Sequence, residues 1–534
     1  MHTYPHLELV NGKKVLMVHD KPYIMLAGEV GNSNSSSVSY MEQIWEKAQQ
    51  LGMNSLLLPV TWEMTEPEEG NFDFSVVDGL IKQARNYGGH IGFLWFGAWK
   101  NAQCYYVPEW VKTNTLRFQR AEVEKGKKFI RNEAFYGMPY TTMSYLCEET
   151  KAADAKAFAA LMAHIREVDE EENTVLMVQV ENETGLMGSA RENSDMADDL
   201  FAGPVPQDFA DYMRENIDTM VDEIRKAVLA GKASGTWSEV FGKAAEEIFS
   251  AYHVAGYVNT VAAAGKAQYP LPMSANCWLD KGEDPGRYPT GGPVSKVMEV
   301  WRYCAPNIDI IAPDIYVQNF LDICEEYTRM ENPLFIPETA THGHAGPREV
   351  YVVGHHHAMC YSPFGFEEMG QPFSASMAFL FGMDTTDPLL SIPQDLKEYG
   401  WITKTLHEMM PLLTSKYGTD DLQAVIGEQP EENTMVFGRY GIKVVMDSPM
   451  SSRKDSVCLA LKESEDTFYV LVSGAMLVPF SADPENPNLD ILRMEDGCFE
   501  NGRWQADRRL NGDQAAIMSY EVPTLLKIKL YAYH

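Results

Sequence analysis

The chain has 534 residues, 45 % of them hydrophobic and 22 % charged, and a formal net charge of −32. That mixture belongs to a globular protein and excludes disordered, collagen-like and disulfide-stapled classes, while the length suits two to three domains. So acidic a surface stays soluble and repels phosphate backbones and anionic lipid, so nucleic acid and membrane surfaces are poor partners and a neutral ligand fits better.

Eight cysteines, Cys104, Cys147, Cys277, Cys304, Cys324, Cys360, Cys458 and Cys498, form no CxxC pair and no Cys/His ligand spacing. A structural zinc site is therefore not expected, and the thiols read as buried residues in a reducing compartment. The opening residues Met1–His6 carry no basic stretch leading into an apolar one, and no apolar run reaches about 18 residues. A cytoplasmic protein without a transmembrane helix is expected.

In chain order, short apolar runs alternate with amphipathic stretches. Tyr23–Glu29 reads as a strand, and Met41, Ile44, Trp45, Ala48 and Leu51 follow at helical spacing, stopped by Gly52. Met53–Val60 is the next strand, Val76–Ala84 the next helix, and His90–Phe96 a third strand. Later strands are expected at Val175–Val180, Leu271–Ala275, Ile308–Ile311 with Tyr316 beyond it, Leu334–Ile336 and Ala358–Tyr361; helices are expected at Lys156–Val168, Asp208–Leu229 and Ile402–Leu413. Eight apolar strands separated by helices imply a parallel sheet covered on both faces, and their spacing fits a (β/α)8 TIM barrel over residues 1–419, with a short N-terminal β segment. No GxGxxG follows the first strand, which weighs against a doubly wound sheet. From residue 420 the texture becomes short β-type runs: Ala424–Ile426, Thr434–Phe437, Ile442–Met446, Val457–Leu461, Thr467–Ser473 and the period-2 run Leu526–Tyr533. Residues 420–534 therefore read as a smaller β-sandwich.

The chemistry concentrates at strand ends. Leu176–Val180 runs straight into Glu181-Asn182-Glu183-Thr184-Gly185, and Leu334–Ile336 runs into Pro337-Glu338-Thr339. C-terminal strand ends form the active-site face of a (β/α)8 barrel. On a regular strand Glu181 and Glu183 point one way and Asn182 the other, unless the strand end is twisted. Two glutamates at two strand ends are the equipment for glycosidic bond cleavage: one carboxyl protonates the leaving oxygen, the other attacks the anomeric carbon. A shared site pushes their pKa values apart.

Gly28-Glu29, Trp45 with Lys47-Ala48, Leu51–Asn54 and Trp62–Phe74 resemble the front half of β-galactosidases of glycoside hydrolase family 35. Val180–Gly185 is similar to that family's VENEYG segment and Pro337-Glu338 to its nucleophile strand; families 42 and 5 of the same barrel clan share the Asn-Glu pair. The likeness covers residues 20–190 and the strand around Glu338. Tyr361–Glu367 and the C-terminal β region resemble a bacterial subgroup with a small appended domain. The chain departs from the family pattern at Thr65 (a histidine there), at Thr184 (a tyrosine there) and at Leu94–Asn101, which replaces an aromatic sugar-binding strand.

The resemblance implies Glu183 as acid/base, Glu338 as nucleophile, Asn182 as a partner of the sugar 2-hydroxyl, and a retaining, exo-acting β-galactosidase that needs no cofactor or metal. Tyr316 is a candidate hydrogen-bond partner of Glu338. Trp95, Trp99 and Trp278 are candidate stacking surfaces, and Glu29, Glu63 and Asn101 candidate hydroxyl binders. His342 or His344 could touch substrate, whereas neighbours in His355-His356-His357 would alternate faces on a strand and make a poor metal site. The alternatives are a β-glycosidase for another pyranoside (an α-L-arabinopyranoside, β-fucoside or β-glucoside) and a non-catalytic sugar-binding barrel. The partner expected is an oligosaccharide or small glycoside, with a homo-oligomer compatible.

Overall fold

The computed structural model describes residues 4–132, 138–381, 383, 385, 392–431, 433–446, 451, 453, 455–516 and 519–534. Eight parallel strands close into a barrel: β1 (Met25–Glu29), β2 (Ser55–Thr61), β3 (His90–Phe96), β4 (Val175–Val180), β5 (Met273–Trp278), β6 (Ile310–Ile315), β7 (Phe335–Thr339) and β8 (Cys360–Pro363), with β8 paired to β1. Each contains or overlaps one of the eight apolar runs. The strands are buried along nearly their whole length because both faces are covered. Met25, Ala27, Leu57, Leu94, Phe96, Leu176, Ile310 and Phe335 fill the barrel interior, and Leu26, Leu56, Leu58, Phe93 and Val178 face the helices. A three-stranded antiparallel sheet, His6–Val10, Lys13–Val18 and Lys21–Tyr23, precedes the barrel and places Leu16 and Val18 among its interior side chains.

The helical stretches need two amendments. Asp208–Leu229 is two helices, Gln207–Glu215 and Asp222–Ala230, broken by a 3-10 turn at Ile217–Thr219. Met220, just beyond that turn, is buried. The long helix Ala245–Lys266 left no amphipathic pattern, because it is buried on most sides between the helix Glu148–Asp169 and its other neighbours. Among the described residues, no helix is long and apolar enough to cross a membrane. All eight cysteines are free, six of them buried.

The C-terminal region forms two antiparallel sheets. The larger has the strand order Leu422–Ile426, Val457–Lys462, Thr467–Ser473, Thr524–Tyr533, Asn488–Glu500, Arg503–Leu510; the smaller comprises Thr434–Phe437, Tyr440–Val445 and Met476–Ser481. Val444, Ile442, Phe468, Val470, Leu526 and Ile528 share one core between them. The other face of the large sheet, through Leu459, Leu461, Leu471 and Leu525, merges with the barrel's outer core. The triple histidine belongs to this seam. It lies on a π-helical turn, Val352–His356, ending at His357, and not on a strand. His355 and His357 reach the backbone carbonyls of Ala424 and Leu422 at 3.3 Å.

Candidate active site

At the end of β4 the backbone enters a conformation that non-glycine residues rarely adopt: φ is +63° at Glu181 and +46° at Glu183. The regular alternation of a strand is broken there. Glu181 turns away from the barrel mouth, where its Oε2 accepts the Trp99 N–H at 2.8 Å and its carboxyl meets that of Asp154. Asn182 and Glu183 instead both reach one acidic cluster. Asp154 accepts from Trp95 Nε1 and the Tyr257 hydroxyl, each at 2.9 Å, so this outer pair is wired into the scaffold. Gly97 makes room for it: a Cβ there would meet Glu181 Oε1 at 2.6 Å and Asp154 Oδ1 at 2.7 Å. Gly97→Ala is therefore expected to cost about 2 kcal/mol of stability, by overpacking against fully buried groups. A thermal or denaturant melt checks this; an unshifted midpoint would contradict the fit.

Glu338, at the end of β7, gathers donors. The Tyr316 hydroxyl donates to Oε2 at 2.9 Å, Asn182 Nδ2 donates to Oε1 at 3.3 Å, and Lys100 Nζ lies 3.8 Å from Oε1. Lys100 also donates to Asn182 Oδ1 at 2.9 Å, so one buried cation orients the amide and faces the carboxylate. Glu183 is held differently. Its N–H donates to Asn276 Oδ1 at 3.0 Å and its carbonyl accepts from Ala102 N–H at 3.0 Å. That second contact pins the turn after β3, in which Asn101 and Ala102 have positive φ, and from it Asn101 Nδ2 donates to Glu183 Oε2. Asp314 lies beside Glu338 in the β6–β7 ladder and accepts from Asn276 Nδ2 at 2.7 Å. Oxygens of Glu183, Asp314 and Glu338 lie within 4.8 Å of one another.

Burial, followed by the charge of Glu338, pushes the Glu183 carboxyl up to about 7, although Lys100 pulls the other way. Burial also pushes Asp314 well above the carboxylate range, with Glu338 and Glu183 adding to the effect. Glu29, at the end of β1, is raised well above its ordinary value by burial and then by Glu338, and neither of its oxygens meets a donor among the described residues. Burial works against the Lys100 ammonium, but Glu338, Glu183, Glu29 and Asp314 outweigh it and hold the pKa above its usual value.

The cluster forms the floor of a cavity of about 530 Å³, within the range of small-ligand sites. Lys100, Asn101, Glu183, Asp314, Tyr316 and Glu338 line its depth; Tyr105, Trp278, Phe364, Phe373 and Phe381 line its upper walls. Phe381 stacks on Tyr316 with centroids 4.3 Å apart and takes the edge of Phe364 at 5.6 Å, so an aromatic wall rises directly from the hydrogen-bond partner of Glu338.

Other residues singled out from the sequence lie elsewhere. Trp99 is fully buried behind the wall, donating to the Gly185 carbonyl at 3.2 Å and packing edge-on against Tyr257, so its face is closed to a ligand. Trp95 is likewise enclosed through Asp154. Glu63 pairs with Lys112 at 2.8 Å, away from the cavity walls. His342 sits behind the wall and accepts the His344 N–H at 3.2 Å; burial and then Arg348 hold its pKa down at about 3. His344 and Arg348 both bind Glu428, tying the barrel to the C-terminal region. Two residues of the floor had not been singled out: Lys100 and Asp314. Asp314 carried a signal, since Ile310-Ile311-Ala312-Pro313-Asp314 ends an apolar strand in a carboxylate as Glu183 and Glu338 do. Two groups of described residues have the proximity that metal ligands need, Glu183 with Asp314 and Glu338, and Glu325 with His355 and His356. In the first, the Lys100 ammonium already faces the carboxylates.

A family described as Domain of unknown function (DUF5597) matches residues 402–519. No curated protein matches the chain. Among solved structures, a β-galactosidase from Bacillus circulans sp. alkalophilus is similar at 12 % identity and a TM-score of 0.46, covering 73 % of this chain and 57 % of that one. A family 39 glycoside hydrolase from the gut symbiont Bacteroides cellulosilyticus WH2 is similar at 10 % identity and 0.42, covering 97 % and 84 %. An exo-β-1,4-mannosidase from Opitutaceae bacterium strain TAV5 is similar at 11 % identity and 0.39, covering 73 % and 60 %. The chain spans little more than half the length of that β-galactosidase.

Proposed function

We propose that the protein is a retaining β-glycosidase that releases a terminal sugar, with Glu183 as acid/base and Glu338 as nucleophile. The observation that carries this reading is the convergence of the two carboxyls at the barrel mouth, with oxygens within 4.8 Å and opposite surroundings. Glu338 faces Tyr316, Asn182 and Lys100, an arrangement that suits an anion able to attack. Burial and Glu338 favour a proton on Glu183, which suits an acid. Oxygens this close are compatible with the carboxyl spacing of about 5–5.5 Å used by retaining enzymes.

In the first half-reaction a Glu338 oxygen bonds to the anomeric carbon while the glycosidic C–O bond breaks and the leaving oxygen takes the Glu183 proton. In the second, water attacks the anomeric carbon, gives its proton to Glu183, and releases the Glu338 ester. The family resemblance assigns the sugar 2-hydroxyl to Asn182, whose amide Lys100 orients beside Glu338. The walls from Tyr105 to Phe381 enclose the floor, which supports attack on a chain end over cleavage within a chain.

A β-galactoside is the first-choice substrate, on the resemblance of residues 20–190 to family 35. The turn that brings Lys100 and Asn101 to the floor, in place of that family's aromatic strand, favours a second reading in which the sugar is a β-fucoside, α-L-arabinopyranoside or β-glucoside. A panel of the corresponding nitrophenyl glycosides separates these, and nuclear magnetic resonance of the first-formed product reports the anomeric outcome. Absence of turnover across the panel, with sugar still bound, would replace the hydrolase by a sugar-binding barrel.

The pH dependence follows with a definite sign. Glu183 must carry a proton for the first step, keeps it below about 7 and loses it above. kcat/KM is expected to fall on the alkaline side with an apparent pKa near 7. A profile flat to about two units beyond that value would remove Glu183 from the acid role.

A further inference from the structure

We propose that Asp314 is a positioning residue for Glu183: it keeps a proton throughout turnover and donates it in a hydrogen bond to the Glu183 carboxylate formed when the leaving group departs. This rests on the glycosidase reading above.

Asp314 is buried at the cavity floor; its Oδ2 takes the Asn276 amide, but among the described residues its Oδ1 meets no N–H or hydroxyl donor. What it does meet is carboxyl: Glu183 is in hydrogen-bond contact, and Glu338 is its neighbour in the ladder. Two carboxyl groups hold such contact in a buried site only with a proton between them. The donors decide where that proton rests. Glu338 faces three donor groups, whereas among the described residues the Glu183 and Asp314 carboxyls are each bound by one, Asn101 and Asn276. Glu338 is thus the best-served anion of the three, and once Glu183 ionises the free Oδ1 of Asp314, its burial and the charges of Glu338 and Glu183 favour the proton on Asp314. Asn276 also binds the Glu183 N–H, so one amide fixes the two acids relative to each other.

The charge count supports the role. Lys100 balances Glu338 in the free enzyme, with Glu183 and Asp314 protonated. In the first step Glu338 becomes a neutral ester and Glu183 an anion, so Lys100 balances Glu183 while Asp314 donates to it. Water then returns a proton to Glu183 and Asp314 has lost none. Other titratable groups facing this pair are Glu29 from β1, Tyr140 on the cavity wall, Cys277 from β5, Lys281 beyond β5 and Tyr316 beyond β6.

The test is the pH profile of kcat/KM on an unsubstituted phenyl glycoside of the preferred sugar, a substrate whose leaving group needs protonation. Asp314→Ala should lower kcat/KM about tenfold and move the alkaline limb up by about one unit, because the Glu183 anion has lost its donor. Asp314→Asn keeps an N–H donor and should leave the limb within about half a unit of wild type. An alkaline limb that stays in place or moves down in Asp314→Ala overturns the proposal, the downward shift being the mark of an ionised Asp314. If Asp314→Ala does not fold, infrared spectra of wild type and Asp314→Asn decide: a protonated-carboxyl band lost in the variant supports the proposal, and identical spectra overturn it. Wild type inert on every glycoside would sink the glycosidase reading itself, while the infrared comparison would still report on the Asp314 proton.

Discussion

Glu338→Ala is expected to lower turnover of the preferred nitrophenyl glycoside by about 10⁴-fold or more, the scale on which losing a nucleophile acts. The variant keeps Lys100, Tyr316 and Asn182 around an empty volume at the floor, so a small anion can enter where the carboxylate stood. Azide should partly restore turnover and leave a glycosyl azide of inverted configuration, because only one displacement then takes place. Product analysis by nuclear magnetic resonance reads this directly. Full activity in Glu338→Ala, or rescue with retained configuration, would remove Glu338 from the nucleophile role.

Glu183→Ala is expected to divide substrates by leaving group. A phenyl or alkyl glycoside needs its oxygen protonated and should lose about 10²- to 10⁴-fold in kcat/KM, the span of general acid catalysis. A dinitrophenyl glycoside leaves without a proton, and its first step should be nearly spared. Its second step still lacks the base, so a burst of phenol followed by slow turnover is expected. Equal losses on both substrates would mean that Glu183 serves the fold and not proton transfer; the hydrogen bonds of its main chain to Asn276 and Ala102 make that control informative.

The barrel was legible because each strand is buried on both faces, which leaves an apolar run with polar punctuation on either side. Val175–Val180 and His90–Phe96 match the expected bounds residue for residue. The helix Ala245–Lys266 was hidden for the opposite reason: contact on nearly all sides erases the 3.6-residue rhythm. In the C-terminal region the strand Arg503–Leu510 was hidden by its charge, since most of its side chains face solvent. The floor of the site divides in the same way. Glu183 and Glu338 stand out as carboxylates ending apolar strands, whereas Lys100 is one lysine in a turn until the fold brings it to Asn182 and Glu338.

The order of residues alone determined the eight-stranded barrel, the β-rich tail and the two strand ends where acids accumulate, because burial periodicity and abrupt polarity are local properties of a chain. The tertiary structure alone decided which acids face which. Left-handed backbone at Glu181 and Glu183 sends one carboxyl outward to Asp154 and the other inward, and barrel closure sets Asp314 beside Glu338 and Lys100 opposite both. Such pairings depend on φ at single residues and on contacts between segments some 80 to 160 positions apart, as in the 156-residue separation of Asn182 and Glu338, and local sequence periodicity carries no record of either.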